Sequence, residues 1–318
     1  MPLITDYKEV KEIYQEAGEL GVALPVFCAE DRETLEAILA SALKMSEETG
    51  VRNLPIIPAW TCRYPARGQM TLLTACGDPV LGTKMMFSDL ELFMSENSPY
   101  RHLRVLPHLD HAFPWLDGDI LNDFADQFAS VMFDASEKPF NENIKMTAEY
   151  VDKMKGRVVI EGAVDEIYES GEKGEKNEPT SVAQAQEFLS QTGVDIIVPN
   201  VGTEHRATAD QVNYQSKRAK EINNVVGKIL CLHGTSSVKP EDLSSLPSDG
   251  FVKINVYTTL AVHGGQAVAR EVMDNLGNII DSPKLNYVCN PRRRDAWFEA
   301  VRDRCSDFLK VFNYRMYI

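Results

Sequence analysis

The stretch Leu106-Pro107-His108-Leu109-Asp110-His111 is an apolar run that closes on three ionisable residues. Two later runs have the same form: residues 196–205 end on His205, and residues 228–234 contain His233 just after their apolar part. Short continuous apolar runs of this kind are typical of strands buried on both faces of a parallel sheet. Because parallel strands bring their carboxyl ends to one edge, the three runs predict a sheet that gathers three imidazoles at one point.

Three histidines and one open coordination position form a catalytic zinc arrangement, so the strand ends predict a metalloenzyme. Side chains alternate along a strand, which points His108 and Asp110 the same way and leaves His111 where the strand gives way to a loop. We therefore predict that His111 binds the metal, that Asp110 faces the substrate as an acid/base, and that His108 supports the site from behind.

Composition limits the classes of protein to consider. The chain has 318 residues, of which 44% are hydrophobic and 25% charged, as in an ordinary globular protein. Its net charge of −14 argues against nucleic acid as a partner. The six cysteines form no C-x-x-C pair, and the sequence has neither a signal-like N-terminus nor an apolar run long enough for a membrane span. We therefore expect a cytoplasmic protein with no membrane partner.

Strand-like runs alternate with helical patterns along the whole chain. Eight such runs are predicted as strands, at residues 22–27, 54–60, 103–109, 128–133, 157–160, 194–201, 228–232 and 251–256. Helical periodicity fills the intervals at residues 32–45, 141–154 and 182–189. This alternation, without a linker rich in Pro, Gly or Ser, favours one (β/α)8 TIM barrel over residues 1–318, with a doubly wound sheet as the alternative.

Two segments lie outside a minimal barrel. Residues 165–180 contain a polar, glycine-containing run after the fifth strand, which is either a mobile active-site loop or a solvated charge run. Residues 295–312 have the pattern of an extra C-terminal amphipathic helix, whose aromatic residues indicate packing or dimerisation. We expect a homo-oligomer, either a dimer or a tetramer.

Polar residues also follow the last two predicted strands. Gly234-Thr235-Ser236-Ser237 offers hydroxyls and backbone N–H groups, and Asn255 and Thr258 bracket the end of the eighth strand. The loops after strands seven and eight of a TIM barrel are a frequent phosphate site. Each segment is weak evidence alone, since a glycine and serine after a strand usually form only a turn.

The order of these motifs resembles that of the class II, metal-dependent ketose-bisphosphate aldolases over nearly the whole chain. The matching pieces are a first strand and helix at residues 22–39, His108-Leu-Asp-His111, Ser130-Val-Met-Phe-Asp-Ala-Ser136, Pro139-Phe-Asn-Glu-Asn-Ile144, Gly202-Thr-Glu-His205, His233-Gly-Thr-Ser236 and Lys253-Ile-Asn255. The ordered set is more specific than any one of its motifs.

The resemblance implies a zinc-dependent aldolase that reversibly cleaves the C3–C4 bond of a ketose. It implies Asp110 as the acid/base at the C4 hydroxyl and Asn255 near the enediolate. The other implied roles are metal binding by His111, His205 and His233, substrate binding by Gly234, Ser236, Thr258, Thr61, Asp134 and Ser136, and support of the site by His108 and Glu161. A divalent cation can stabilise the enediolate charge, and zinc suits imidazole ligands best, with cobalt or manganese as alternatives.

The departures from the family pattern occur at residues expected to contact the substrate and not at the predicted metal ligands. Ala163 stands where a second glutamate is typical, and Cys28 where an asparagine is common. Arg206 replaces the glycine after the second histidine, a nearby lysine is missing, and Tyr257 takes a position that is usually small or acidic. Arg206 is therefore predicted either as an anion clamp or as a surface arginine paired with a carboxylate.

Three functions remain open from the sequence. The first is a lyase of carbohydrate metabolism acting on a phosphorylated ketose or an acidic sugar, for which fructose 1,6-bisphosphate itself is an unsafe assignment. The second is a non-catalytic barrel that binds metal and sugar phosphate as a sensor or scaffold, although Asp110 argues against it. The third is a zinc hydrolase, against which only the resemblance argues.

Overall fold

The computed structural model describes residues 3–65, 67–167, 178–207, 213–281 and 289–318. Its strands are all parallel, and each pairing joins consecutive strands of the chain except those of β1 with β9 and of β2 with β4. Their bounds are β1 Leu24–Cys28, β2 Pro55–Thr61, β3 Arg104–Val105, β4 His108–Ala112, β5 Ser130–Phe133, β6 Val159–Ala163, β7 Ile196–Val198, β8 Leu230–Leu232 and β9 Phe251–Val256.

The strands close into a barrel. The hydrogen-bonded order is β1-β9-β8-β7-β6-β5-β4-β2, and a further pairing of β1 with β2 completes the ring. Eight parallel strands with intervening helices make a TIM barrel, so the predicted (β/α)8 fold is confirmed and the doubly wound alternative is wrong. The carboxyl ends of all eight strands therefore lie at one mouth.

The third predicted strand is divided into two pieces, and Pro107 explains the break. β3 pairs with the start of β2 and, on its other side, forms a single bridge with Leu3, whereas β4 enters the barrel between β2 and β5. Proline has no N–H to donate to a sheet ladder, so regular pairing cannot run through this position. The chain resumes as a barrel strand at His108, which shifts the functional residues of this segment into β4.

Helices cover the outside of the barrel and its amino-terminal end. Their bounds are α1 Tyr7–Leu20, α2 Arg32–Thr49, α3 Gln69–Leu72, α4 Pro79–Phe93, α5 Gly118–Asp123, α6 Phe140–Met154, α7 Val182–Thr192, α8 Ser216–Val226, α9 Leu246–Asp249, α10 Thr258–Asp274, α11 Leu276–Asp281 and α12 Cys289–Val311. Several begin at side chains that accept backbone N–H groups, such as Asp31 before α2 and Ser181 in a capping box before α7.

The extra C-terminal helix is present, and it begins earlier than residue 295. α12 packs against α10 and α2, where Trp297 Nε1 donates to Thr34 Oγ1 at 2.9 Å. Phe308 and Phe312 are buried, and the Phe308 ring lies 6.3 Å from that of Phe27 in β1. These aromatic residues therefore serve packing within the chain.

Two further sequence expectations concern loops and membranes. The predicted loop at residues 165–180 lies mostly outside the described residues, which include only 165–167 and 178–180 of it. None of the helices in the described ranges is both long and apolar enough to cross a bilayer.

Candidate active site

A backbone irregularity at the end of β4 brings two neighbouring side chains into the same pocket. His111 has a φ of +43°, a left-handed value that non-glycine residues seldom adopt, and the β4–β5 register shifts between Leu109 and Ala112. A bulge of this kind redirects a side chain that strict alternation would send to the other face. As a result Asp110 and His111 both line the pocket at the barrel mouth.

The three predicted metal histidines converge at this pocket. Ligand nitrogens of His111, His205 and His233 all lie within 4.8 Å of one another. The closest pair is His111 Nε2 and His233 Nδ1, at 3.1 Å. His205 Nε2 is buried and has no hydrogen-bond partner in the described part of the chain. These are the features expected of a three-imidazole cation site, so the donor set fits a divalent metal.

Carboxylates fix the orientation of two of these rings. Asp134 Oδ2 lies 2.7 Å from His111 Nδ1, and Glu161 Oε1 lies 3.0 Å from His233 Nε2. A carboxylate on the outer nitrogen leaves the other nitrogen of each ring directed at the convergence point. Asp134 also accepts hydrogen bonds from Ser136 N at 3.1 Å and Ser136 Oγ at 2.6 Å, which holds the carboxylate in place.

The electrostatic environment differs among the histidines. Burial and the charges of His111 and His233 hold the pKa of His205 well below its usual range, so this ring is neutral. Burial would lower the pKa of His111, but the carboxylates of Asp110 and Asp134 raise it to about 9. The pocket therefore contains a neutral imidazole at His205 and, around His111, carboxylates that stabilise positive charge.

Asp110 is a buried carboxylate held by two neighbours. Its Oδ1 accepts from Asn255 Nδ2 at 2.9 Å, and its Oδ2 accepts a weak hydrogen bond from Cys28 Sγ at 3.5 Å. Burial alone would raise the pKa of Asp110, but nearby positive charges, led by His111 and His233, lower it to about 2. An ionised carboxylate in this position can accept a proton from a bound hydroxyl.

His108 lies behind the pocket and within the barrel interior. Its Nε2 accepts from Lys253 Nζ at 3.1 Å, so Nδ1 carries the proton and donates to Ser130 O at 3.1 Å. Burial and the charge of Lys253 lower the pKa of His108 to about 3. The structure thus places a neutral His108 in a supporting position beneath the convergence point.

Sequence reasoning quoted Lys253 in a motif but assigned it no role, whereas the structure buries it completely in the barrel interior. Lys253 and Glu161 are fully buried and lie 2.7 Å apart, and Lys253 Nζ also donates to Asn255 Oδ1 at 3.0 Å. The charge of Lys253 keeps the pKa of Glu161 below its usual value despite burial. The sequence does contain a sign of this role, because Lys253 lies in an otherwise apolar strand and on the same face as Asn255. A lysine in such a strand is rarely buried unless it is paired.

The structure brings most of the predicted site residues to one pocket. Thr61, Asp110, His111, His205, Arg206, His233, Gly234, Ser236, Asn255 and Thr258 line it together. Asp134 and Ser136 line an adjoining cavity that shares His111 with the main pocket, and Glu161 lies behind His233. Ala209, where the family's lysine is missing, lies outside the described residues. Sequence reasoning assigned no role to Tyr64 or Arg67, which also line the main pocket.

Comparison with known proteins agrees with this geometry. The profile of the family described as "Fructose-bisphosphate aldolase class-II" matches residues 8–314, which is nearly the entire chain. The chain belongs to the class II fructose-bisphosphate aldolase family. Membership places it among the carbon–carbon lyases and confirms the resemblance read from the ordered motifs.

Three solved structures share the fold of this family member. A fructose-bisphosphate aldolase from Campylobacter jejuni is 20% identical, with a TM-score of 0.79 over 98% of this chain and 95% of that chain. The YdjI aldolase from Escherichia coli K12 is 22% identical, with a TM-score of 0.66 over 96% of both chains. A protein from Coccidioides immitis described as a putative fructose-1,6-biphosphate aldolase is 19% identical, with a TM-score of 0.67 over 99% of both chains.

Proposed function

We propose that this protein is a metal-dependent aldolase that reversibly cleaves the C3–C4 bond of a phosphorylated or acidic ketose. The observation that carries the proposal is the convergence of three imidazoles beside the buried carboxylate of Asp110 in one pocket. Catalysis of this cleavage needs a cation for developing negative charge and a base for the C4 hydroxyl proton, and the pocket offers residues for both.

His111, His205 and His233 would hold the divalent ion, which we propose to be zinc. A bound divalent cation supplies Lewis-acid stabilisation of negative charge on the substrate's carbonyl side. Asp134 and Glu161 keep the outer nitrogens of His111 and His233 occupied, so that the inner nitrogens remain available. The neutral His205 ring contributes a buried nitrogen without a competing partner among the described residues.

Asp110 would take the proton of the C4 hydroxyl as the C3–C4 bond breaks. The O–H electron pair then forms the aldehyde C=O, and the C3–C4 pair stays with the three-carbon fragment as an enediolate. Asn255 holds Asp110 through Nδ2, while Lys253 occupies the opposite end of the Asn255 amide. This pair of contacts fixes which end of the amide faces the carboxylate and keeps Asp110 aimed into the pocket.

The substrate phosphate would lie by the loops after β8 and β9. Gly234, Ser236 and Thr258 line that part of the pocket, and α10 begins at Thr258. Gly234 has a φ of +72°, and a Cβ there would lie 2.8 Å from Glu204 O, so only glycine allows the two loops to approach this closely. The same approach brings Arg206, which follows β7, to the edge of the pocket as a candidate anion clamp.

A substrate screen tests the proposal directly. Ketose monophosphates, ketose bisphosphates and acidic sugars are incubated with the protein, with and without added zinc, and aldehyde release is measured. We expect zinc-dependent release from at least one ketose phosphate, and release that is slower by about 10²-fold or more in the Asp110→Ala variant. Binding of metal and sugar phosphate without any aldehyde release would contradict the proposal and favour the sensor or scaffold alternative.

A further inference from the structure

A three-residue cluster forms part of the pocket wall on the side of β1 and β2. Glu30 Oε1 accepts from Arg67 Nε at 2.7 Å and from the Tyr257 hydroxyl at 2.7 Å. Arg67 and Tyr257 line the pocket, and the Glu30 side chain behind them is only 15% exposed. We call these three residues the Glu30 cluster.

The barrel topology separates Arg67 from the other arginine of the pocket, whereas Tyr257 directly precedes Thr258 in the loop after β9. Around the closed ring, β2 and β7 lie four strands apart among eight, which places them on opposite sides. Arg67 follows β2, whereas Arg206 follows β7 and is next to the phosphate loops. Asp110 lies on β4, an immediate neighbour of β2. A substrate with its phosphate by the β8 and β9 loops and its C4 by Asp110 therefore meets Arg67 where it continues past C4 toward β2.

The charge of this side is compensated. Arg67 is the cation here, and its ion pair with Glu30 brings one negative charge to the same wall. Arg63, in the same loop after β2, is also paired, with its two terminal nitrogens each 2.7 Å from an oxygen of Asp119. Both described arginines of this loop therefore carry a carboxylate partner, and the wall offers little net attraction for an anion.

Hydrogen-bonding capacity nevertheless remains at the cluster. An arginine that donates Nε to a carboxylate still has donors on its two terminal nitrogens, and a tyrosine hydroxyl that donates can also accept. A wall with donors and acceptors but compensated charge suits hydroxyl groups. It does not suit a phosphate, which would lie close to the Glu30 carboxylate and be repelled by it.

We propose that the substrate end beyond C4 is uncharged and hydroxylated, so that this enzyme acts on ketose 1-phosphates in preference to ketose 1,6-bisphosphates. This inference rests on the proposed aldolase function, which sets the phosphate by the β8 and β9 loops and C4 by Asp110. The Glu30 cluster then determines specificity by excluding a second phosphate. Glu30 acts through Arg67 and Tyr257 and need not touch the substrate.

Binding to a variant that cannot turn over tests the preference separately from catalysis. Metal-loaded Asp110→Ala is titrated calorimetrically with the 1-phosphate and the 1,6-bisphosphate of the same ketose, using fructose and tagatose as two such pairs. We expect the 1-phosphate of the preferred ketose to bind about tenfold more tightly or better, since like charges at the wall disfavour the second phosphate. High salt should reduce the difference between the two affinities, because it screens the repulsion of the second phosphate.

Glu30→Gln in the same background removes the negative charge and leaves an amide of similar shape. This change should selectively strengthen bisphosphate binding by about tenfold, because the Arg67 charge is then uncompensated, while 1-phosphate affinity changes by less than about threefold. The matched control is Asp89→Asn, which releases Arg32 from a 2.6 Å ion pair outside the residues lining the pocket and should leave the preference unchanged. Thermal melting confirms that each variant is folded.

The outcomes separate this inference from the proposed function. Tighter bisphosphate binding by the parent, or an unchanged preference in Glu30→Gln, would overturn the inference even if the wild-type protein is an active aldolase. Preferential 1-phosphate binding that Glu30→Gln reduces or abolishes, without aldehyde release by the wild-type protein, would support the inference and refute catalysis. Failure of every ketose phosphate to bind would overturn both.

Discussion

His205 has its Nε2 buried with no hydrogen-bond partner among the residues that the structure describes. We predict that His205→Ala loses most of the metal affinity, since one of three protein ligands is removed. Metal content after dialysis against a weak chelator measures the effect. The exposed His102→Ala serves as the control and should retain about one ion per chain. Equal metal content in the two variants would contradict the ligand assignment.

Asp110 should matter for turnover much more than for assembly of the site. We predict that Asp110→Ala binds metal and substrate nearly normally but loses about 10²-fold or more in kcat, the range for a positioned acid/base. Single-turnover aldehyde release and metal content are measured on the same preparation. If the variant loses metal together with activity, Asp110 is a ligand and the proposed proton transfer is wrong.

Arg206 has a left-handed backbone, with a φ of +57°, and it follows His205 directly. We predict that Arg206→Ala raises KM for the best anionic substrate by a factor corresponding to about 1.5–3 kcal/mol, with little change in kcat, as expected for an anion clamp. Arg206→Lys should recover only part of this, since an ammonium cannot make the paired contact. Arg, Ala and Lys have the same backbone penalty at this positive φ, so differences in KM among the three proteins report the contribution of the side chain. A KM within about twofold of the parent would leave only the surface-arginine interpretation.

At the scale of elements, the packing of α10 on α12 distinguishes two adjacent glycines. A Cβ on Gly264 would lie 2.7 Å from the Trp297 ring, whereas a Cβ on Gly265 meets nothing within 4 Å. We predict that Gly264→Ala destabilises the protein by about 1–3 kcal/mol through overpacking, and that Gly265→Ala stabilises it by up to about 1 kcal/mol through helix propensity. Urea denaturation measures both, and equal shifts in the two variants would contradict this account of the interface.

The strand-ending histidines made the barrel and the convergence point predictable from the sequence, because parallel strands necessarily share an edge. The orientation of His111 was harder to predict, because it depends on a bulge and a positive φ. A histidine at this position does not indicate either feature. The division of the third strand could have been anticipated from Pro107.

The partners of the site residues were the least predictable part. Glu30, Arg67 and Tyr257 come from the ends of β1, β2 and β9, and the pairing of their side chains requires the closed ring. Periodicity assigns each of them to a strand end but does not say which neighbour it meets. Asp134 was similarly assigned to substrate binding, whereas its carboxylate contacts His111 in the structure.

At the scale of the whole molecule, the buried pair of Lys253 and Glu161 should dominate the response to substitution in the barrel interior. We predict that Lys253→Met destabilises the metal-loaded protein by about 3–5 kcal/mol, because the Glu161 carboxylate is left buried without its cation. The double variant Lys253→Met/Glu161→Gln should be more stable than the single one, since no charge is then stranded and Gln can still accept from His233. Urea denaturation of both variants checks the order, and a double variant no more stable than the single would contradict it.

The same ion pair has a consequence for how the chain folds. Lys253 lies on β9 and Glu161 on β6, so the carboxylate is synthesised long before the lysine that neutralises it. A partly formed barrel ending at β6 would have to leave this group in water or bury it alone, and both choices disfavour a compact half-barrel. We therefore expect cooperative folding in which ring closure and charge neutralisation occur in one step, and in which a fragment ending after β6 does not become protected against hydrogen exchange.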